Sequence, residues 1–123
     1  MQLSGHELSA IVKLAISVAA ADNKFATEEK VMIAREIARF NVPQNKVQYI
    51  LEEAQEMSGQ EAIVVMASLN PEEKKYATAF LGTLIAIDGE ITDSEVERWS
   101  LISALCDLPT MSIGEAANYM ANL

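Results

Sequence analysis

The chain has 123 residues and is 50% hydrophobic, which is enough apolar material for one domain with its own core and too much for a disordered segment. Eighteen Asp and Glu stand against nine Lys and Arg, a formal net charge of -9. That balance argues against nucleic acid, whose phosphates need clustered Lys or Arg, and against an anionic membrane surface.

Met1–Ser9 has no basic region ahead of an apolar stretch and carries Glu7, so it does not read as a signal peptide. The longest apolar runs are Leu14 to Ala21 and Ala77 to Ile87. Both are far short of the roughly 20 residues that a membrane helix needs. The single cysteine, Cys106, cannot form an internal disulfide, so a reducing compartment suits it. These features predict a cytoplasmic protein with no membrane insertion.

The apolar periodicity is helical throughout, and no stretch alternates over strand length. Helix one is predicted from about Gly5 to Ala21, with Ser4 and Glu7 as a capping box. Helix two starts near Thr27 and runs to about Phe40 on an apolar stripe of Ile33, Ile37 and Phe40. Helix three follows Pro43, with Val47, Ile50, Leu51 and Ala54 on one face. Helix four runs from about Gln60 to Leu69. Its Ile63-Val64-Val65-Met66-Ala67 run is apolar nearly all round, which predicts burial on more than one side. Asn70-Pro71-Glu72-Glu73 supplies a cap, a first-turn proline and first-turn acids for helix five, which runs to about Ile87. Helix six starts after Thr92, with Glu95 completing a second box. Helix seven starts after Ser112, with Glu115 in the same relation and a buried face of Ile113, Ala116, Ala117 and Met120. Pro43, Pro71 and Pro109 all fall where a helix could begin. The expectation is an all-α bundle of about seven short helices in a single domain over 1–123.

Sliding the chain against itself by 66 residues gives an ungapped match. Ala20 falls on Ala86, Asp22 on Asp88, Glu29 on Glu95, Ala38 on Ala104 and Pro43 on Pro109. Val18, Phe25, Ile33 and Val42 meet Leu84, Ile91, Trp99 and Leu108. This predicts an internal pseudo-twofold repeat of three-helix units, about 4–57 and 70–123, with a connector helix at about 60–69. Alanines of helix one and Ala77, Ala79, Gly82 and Ala86 of helix five predict that these two helices cross closely. A mid-helix glycine costs about 1 kcal/mol against alanine, so Gly82 should have a packing reason.

Each unit carries the same turn, Asp-x6-Glu. The second copy, Asp88-Gly89-Glu90-Ile91-Thr92-Asp93-Ser94-Glu95, matches the last eight positions of an EF-hand loop. The earlier ligand positions are Leu84 and Ala86, and Val18 and Ala20 in the first copy, so neither copy is an EF-hand. One reading makes the acids structural: Asp88 accepts turn N–H groups, Gly89 supplies positive φ, and Glu95 completes the box with Thr92. The other makes them oxygen ligands for a weakly held divalent cation, calcium, manganese or magnesium. The candidate ligands are Asp88 and Glu95, with Glu90 and Asp93 as contributors, and Asp22 and Glu29 as a poorer pair beside Lys24 and Lys30. Ala26 has no capping oxygen where the second copy has Thr92, which leaves Glu29 in need of a reason.

The two stretches Ala-Ala-Asp-Asn-Lys-Phe-Ala-Thr-Glu-Glu (20–29) and Ala-Ile-Asp-Gly-Glu-Ile-Thr-Asp-Ser-Glu (86–95) resemble the TerB-like tellurite-resistance family. The resemblance spans helix one to helix seven. It implies an all-helical domain with acidic interhelical turns and a link to metal-related stress responses. The same kind of domain also accompanies J-domain co-chaperones, so the fold does not fix one function. The family's acidic turn residues fall on Asp22, Glu29, Asp88 and Glu95. Asn23 stands where the family has glycine.

Nothing else carries chemistry. His6 is the one histidine, Cys106 falls on the buried face of helix six, and Trp99 reads as core. No nucleophile set, Cys/His cluster or phosphate loop is present. The expected function is non-enzymatic: a TerB-like module that binds a protein partner, as monomer or homodimer, with an optional cation. The alternative is an adaptor domain whose acids only cap helices.

Overall fold

A computed structural model describes residues 1–21, 26–40, 42–87 and 89–123. Seven α-helices follow one another, and no strand occurs among the described residues: α1 Gly5–Ala19, α2 Thr27–Arg39, α3 Gln44–Glu56, α4 Gly59–Ala67, α5 Pro71–Ala86, α6 Asp93–Leu105 and α7 Ile113–Ala121. The fold is all-α, as the periodicity predicts. No helix among the described residues is long and apolar enough to cross a membrane.

Short polar side chains set the helix starts. Ser4, Ser58, Asn70, Thr92 and Ser112 each accept the N–H of the glutamate three residues on. At Ser4, Asn70, Thr92 and Ser112 that glutamate returns a bond to the cap N–H. Pro71 stands at a helix start as expected. So does Pro43, the N-cap that α3 follows; Pro109 does not, and lies in the α6–α7 loop, four residues before Ile113. The end of α6 explains the late start of α7. Asp107 takes φ 54°, Leu108 N–H bonds to Ser103 O at 2.9 Å, and Asp107 N–H reaches Ala104 O at 3.5 Å. This is a Schellman ending in which aspartate fills the usual glycine place.

The buried helices α1 and α5 organise the packing. In α1 every residue from Leu8 to Val12 is buried, and α5 is buried from Tyr76 to Gly82. α1 packs against α2, α3, α4, α5 and α6, while α5 packs against α1, α6 and α7. The 66-residue offset holds at the starts of the first two helix pairs: Gly5 and Pro71 open α1 and α5, and Thr27–Arg39 corresponds to Asp93–Leu105. It lapses at the third pair, where α3 has 13 residues and α7 has 9.

Three packing expectations need correction. α4 buries Ala62 and Met66 but leaves Val64 68% exposed, so it covers α1 from one side only. In α7 only Ala116 is buried; Ile113 and Met120 are half-buried and Ala117 is exposed. Gly82 does have a packing reason, but its close neighbours are on α6 and α7 rather than α1. A Cβ there would lie 2.6 Å from Trp99 Cζ2 and 2.9 Å from Ala116 Cβ. Trp99 and Cys106 are buried as expected, and the Cys106 Sγ lies 3.7 Å from Ile63 O of α4.

Candidate functional site

The two acidic turns join α1 to α2 and α5 to α6. Asp22 and Asp88 fall outside the described residues, and so do Asn23, Lys24 and Phe25. The partner glutamates are described, and both are buried: Glu29 is 1% exposed and Glu95 is 2% exposed. Each is the third residue of its helix, with Oε1 turned back to the chain entering it. Glu95 Oε1 accepts Thr92 N–H at 3.2 Å and Thr92 Oγ1–H at 2.9 Å. Glu29 Oε1 accepts Ala26 N–H at 2.9 Å. Ala26 is thus the N-cap of α2 without a side-chain acceptor, and Glu29 supplies the box from its own side alone. That gives Glu29 the structural reason its match to Glu95 called for.

Gly89 has φ 83°, the left-handed region in which glycine has no Cβ penalty, so the turn uses it as expected. Glu90 and Asp93 are exposed. Among the described residues, no group of three or more His, Cys, Asp or Glu stands close enough together to hold a metal. Thr92→Ala is expected to cost about 0.5–2 kcal/mol, because it removes an N-cap and the Thr92 hydroxyl donor on buried Glu95. Urea unfolding of the variant measures this. Ser112→Ala should cost less, because Glu115 is exposed and keeps its hydration.

Two polar clusters outside the turns are not legible as such in the chain. Glu36 of α2 is 3% exposed. Its Oε1 accepts Tyr76 Oη–H of α5 at 2.7 Å and Arg39 Nε–H at 2.9 Å, and its Oε2 accepts Arg39 Nη2–H at 3.1 Å. Phe40 packs edge-on to Tyr76 at 5.2 Å. Burial, and then the bond to Glu36, push the Tyr76 phenol far above its ordinary value. The Arg39 guanidinium is raised by the same carboxylate. The signal was available: Glu29, Met32, Ile33, Glu36 and Ile37 fall at i, i+3, i+4, i+7 and i+8, so Glu36 sits on the apolar stripe. The second cluster joins three helix ends. His6 Nδ1 lies 3.0 Å from Glu53 Oε1, and His6 Nε2 lies 3.8 Å from Glu61 Oε1. His6 is half exposed there, so it ties α1 to α3 and α4 at the surface.

No family model matches the chain, and no curated protein does. A solved structure does: a protein of unknown function from Porphyromonas gingivalis W83, 40% identical, with a TM-score of 0.86. The match covers 98% of this chain and 92% of that one. At that identity the likeness extends beyond the helical architecture to the sequence that builds it, and the chain belongs to the same family as the Porphyromonas gingivalis protein.

Proposed function

We propose that the chain is a non-enzymatic helical module of the TerB-like kind, serving a metal- or stress-linked response in the cytoplasm. It binds a protein partner and holds a divalent cation weakly at its second acidic turn. The observation that carries this reading is the burial of Glu29 and Glu95 at matching places, each seven residues after an aspartate. A cap alone does not demand burial, since Glu115 caps α7 while exposed. Glu73 is a buried capping glutamate too, but Met66 stands seven residues before it. The shared spacing sets two carboxylates in one turn, Asp88 and Glu95, and paired carboxylate oxygens are the ligand type a divalent cation takes.

A second reading, an adaptor in which the acids only cap helices, is favoured by one fact. Oε1 of both glutamates already accepts a cap N–H. Calorimetric titration with calcium, manganese and zinc separates the two. Saturable binding that disappears in Asp88→Asn, with the helical dichroism unchanged, is the expected result. Absence of heat at millimolar metal, together with a marked stability loss in Asp88→Asn, overturns the cation and leaves the capping role.

A further inference from the structure

We propose that the outer face of α6, with the adjoining edge of α4, is the docking surface for a basic amphipathic helix of another protein. The inference rests on the reading of the chain as a partner-binding module and names the surface.

α6 turns Glu95, Trp99, Ile102 and Cys106 inward. Its outer residues include Asp93, Ser94, Glu97, Arg98, Leu101 and Leu105, all exposed. Leu101 is 54% exposed and Leu105 is 53% exposed. Two contacts orient this face. Arg98, on the same stripe as the leucines, donates to Ser17 Oγ of α1 at 2.8 Å, and Cys106, next to Leu105, approaches Ile63 O of α4. The leucines therefore stand on the side of α6 that adjoins α1 and α4. Val64 of α4, next to Ile63, is 68% exposed.

The fold itself does not require these leucines. The matching positions of α2, a helix of the same length, hold Arg35 and Arg39. Surface leucines i, i+4 apart on a helix form an apolar strip that a partner helix can cover with its own i, i+3 and i+4 residues.

Charge selects the occupant. Towards the N-terminal end of α6 the strip gives way to Arg98, which is turned to Ser17, and then to exposed Glu97, Asp93 and, just before the helix, Glu90. From Ala77 to the last residue there are seven acids against Arg98 alone. A helix lying along this face meets apolar side chains at one end and carboxylates at the other, so it needs leucine-like anchors followed by Lys or Arg one to two turns away. A second copy of this chain is the poorer occupant, because a net charge of -9 on each copy opposes association.

Amide NMR spectra test this with a synthetic amidated helix of about four turns. It carries leucines at i, i+3 and i+7 and lysines on the flank one turn away; a second peptide replaces each lysine by glutamate. The lysine peptide is expected to shift α6 and the α4 edge, and the glutamate peptide is not. Affinity should fall about tenfold or more in Leu101→Ser/Leu105→Ser and in Glu97→Lys, equivalent to about 1.4 kcal/mol or more. These side chains are exposed, and an unchanged dichroism spectrum checks that each variant stays folded. The proposal is overturned by any of four results: no shifts at millimolar peptide, shifts centred on another surface, equal affinity in the variants, or broadening of α6 with protein concentration alone. Leu101→Ser/Leu105→Ser leaves every acid of the turn in place, so its metal titration should match the wild type, and either reading can fail while the other stands.

Discussion

Replacing Tyr76 by phenylalanine is expected to lower the unfolding free energy by about 1.5–3 kcal/mol, the usual range for a hydrogen bond to a charged group. The change removes one oxygen and no packing volume. Glu36 is 3% exposed, and water cannot replace the lost donor without opening the α2–α5 contact. Arg39 remains, with two bonds to the same carboxylate, so the loss should stop short of what an isolated buried charge would cost. Removing Tyr76 and Arg39 donors together should cost more than the sum of the two single changes, because the second then strips the carboxylate of its last partner.

The same phenol gives the fold an alkaline limit. Its proton is held more tightly in the folded chain than in the unfolded one, where tyrosine titrates near about pH 10. Below that pH both states keep the proton and the phenol's contribution is flat. Above it the unfolded state loses protons first, so stability falls as pH rises. Burial raises the Cys106 thiol as well, and its contribution has the same sign, beginning near about pH 8.5. Denaturant midpoints at neutral pH and above about pH 10 should therefore diverge in the wild type and diverge less in Tyr76→Phe. A midpoint that rises with pH would contradict the buried neutral phenol.

Gly82→Ala is the second substitution with a large expected effect, and its direction runs against helix propensity. Alanine in a helix interior gains about 1 kcal/mol over glycine. Here the new methyl would meet Trp99 Cζ2 at 2.6 Å, Trp99 Cη2 at 2.8 Å and Ala116 Cβ at 2.9 Å. None of these atoms is the loose end of a flexible chain. Either the indole rotates off its rotamer or α7 lifts from α5, and overpacking of this kind costs about 1–3 kcal/mol or more. The net expectation is destabilisation by up to about 2 kcal/mol, with Gly82→Val worse. Trp99→Phe withdraws the two ring atoms nearest Gly82. In that background Gly82→Ala should cost less, and thermal unfolding of the four proteins closes the double-mutant cycle.

The parts of the fold that were legible in the chain are those specified within four residues. Ser4 with Glu7, Asn70 with Glu73, Thr92 with Glu95 and Ser112 with Glu115 announce their helices because cap and partner lie in one turn. Glu95 is legible the same way and Glu29 through its match to Glu95 at the 66-residue offset, but the burial of both is not, since it depends on the helices that close over them. The spacing puts Glu36 on the apolar stripe of α2, but its Tyr76 partner is 40 residues away and is not legible from the local pattern. Gly82 announces a close approach but not the partner, because the indole that reaches it comes from α6. Pro109 reads as a helix start because nothing local reveals that Asp107 has turned the chain back on itself.

The burial of α1 on all sides has a consequence for how the molecule comes apart. α1 touches helices on both sides of the connector α4, and the stretch from Leu8 to Val12 has no solvent face. If the second half peeled away, that stretch would be exposed to water, at about 25 cal/mol for each Å² of apolar surface uncovered. Neither half therefore has a low-energy state of its own. The chain is expected to unfold as one cooperative unit, and a half-length fragment from either end would have to borrow a second fragment to cover its central helix.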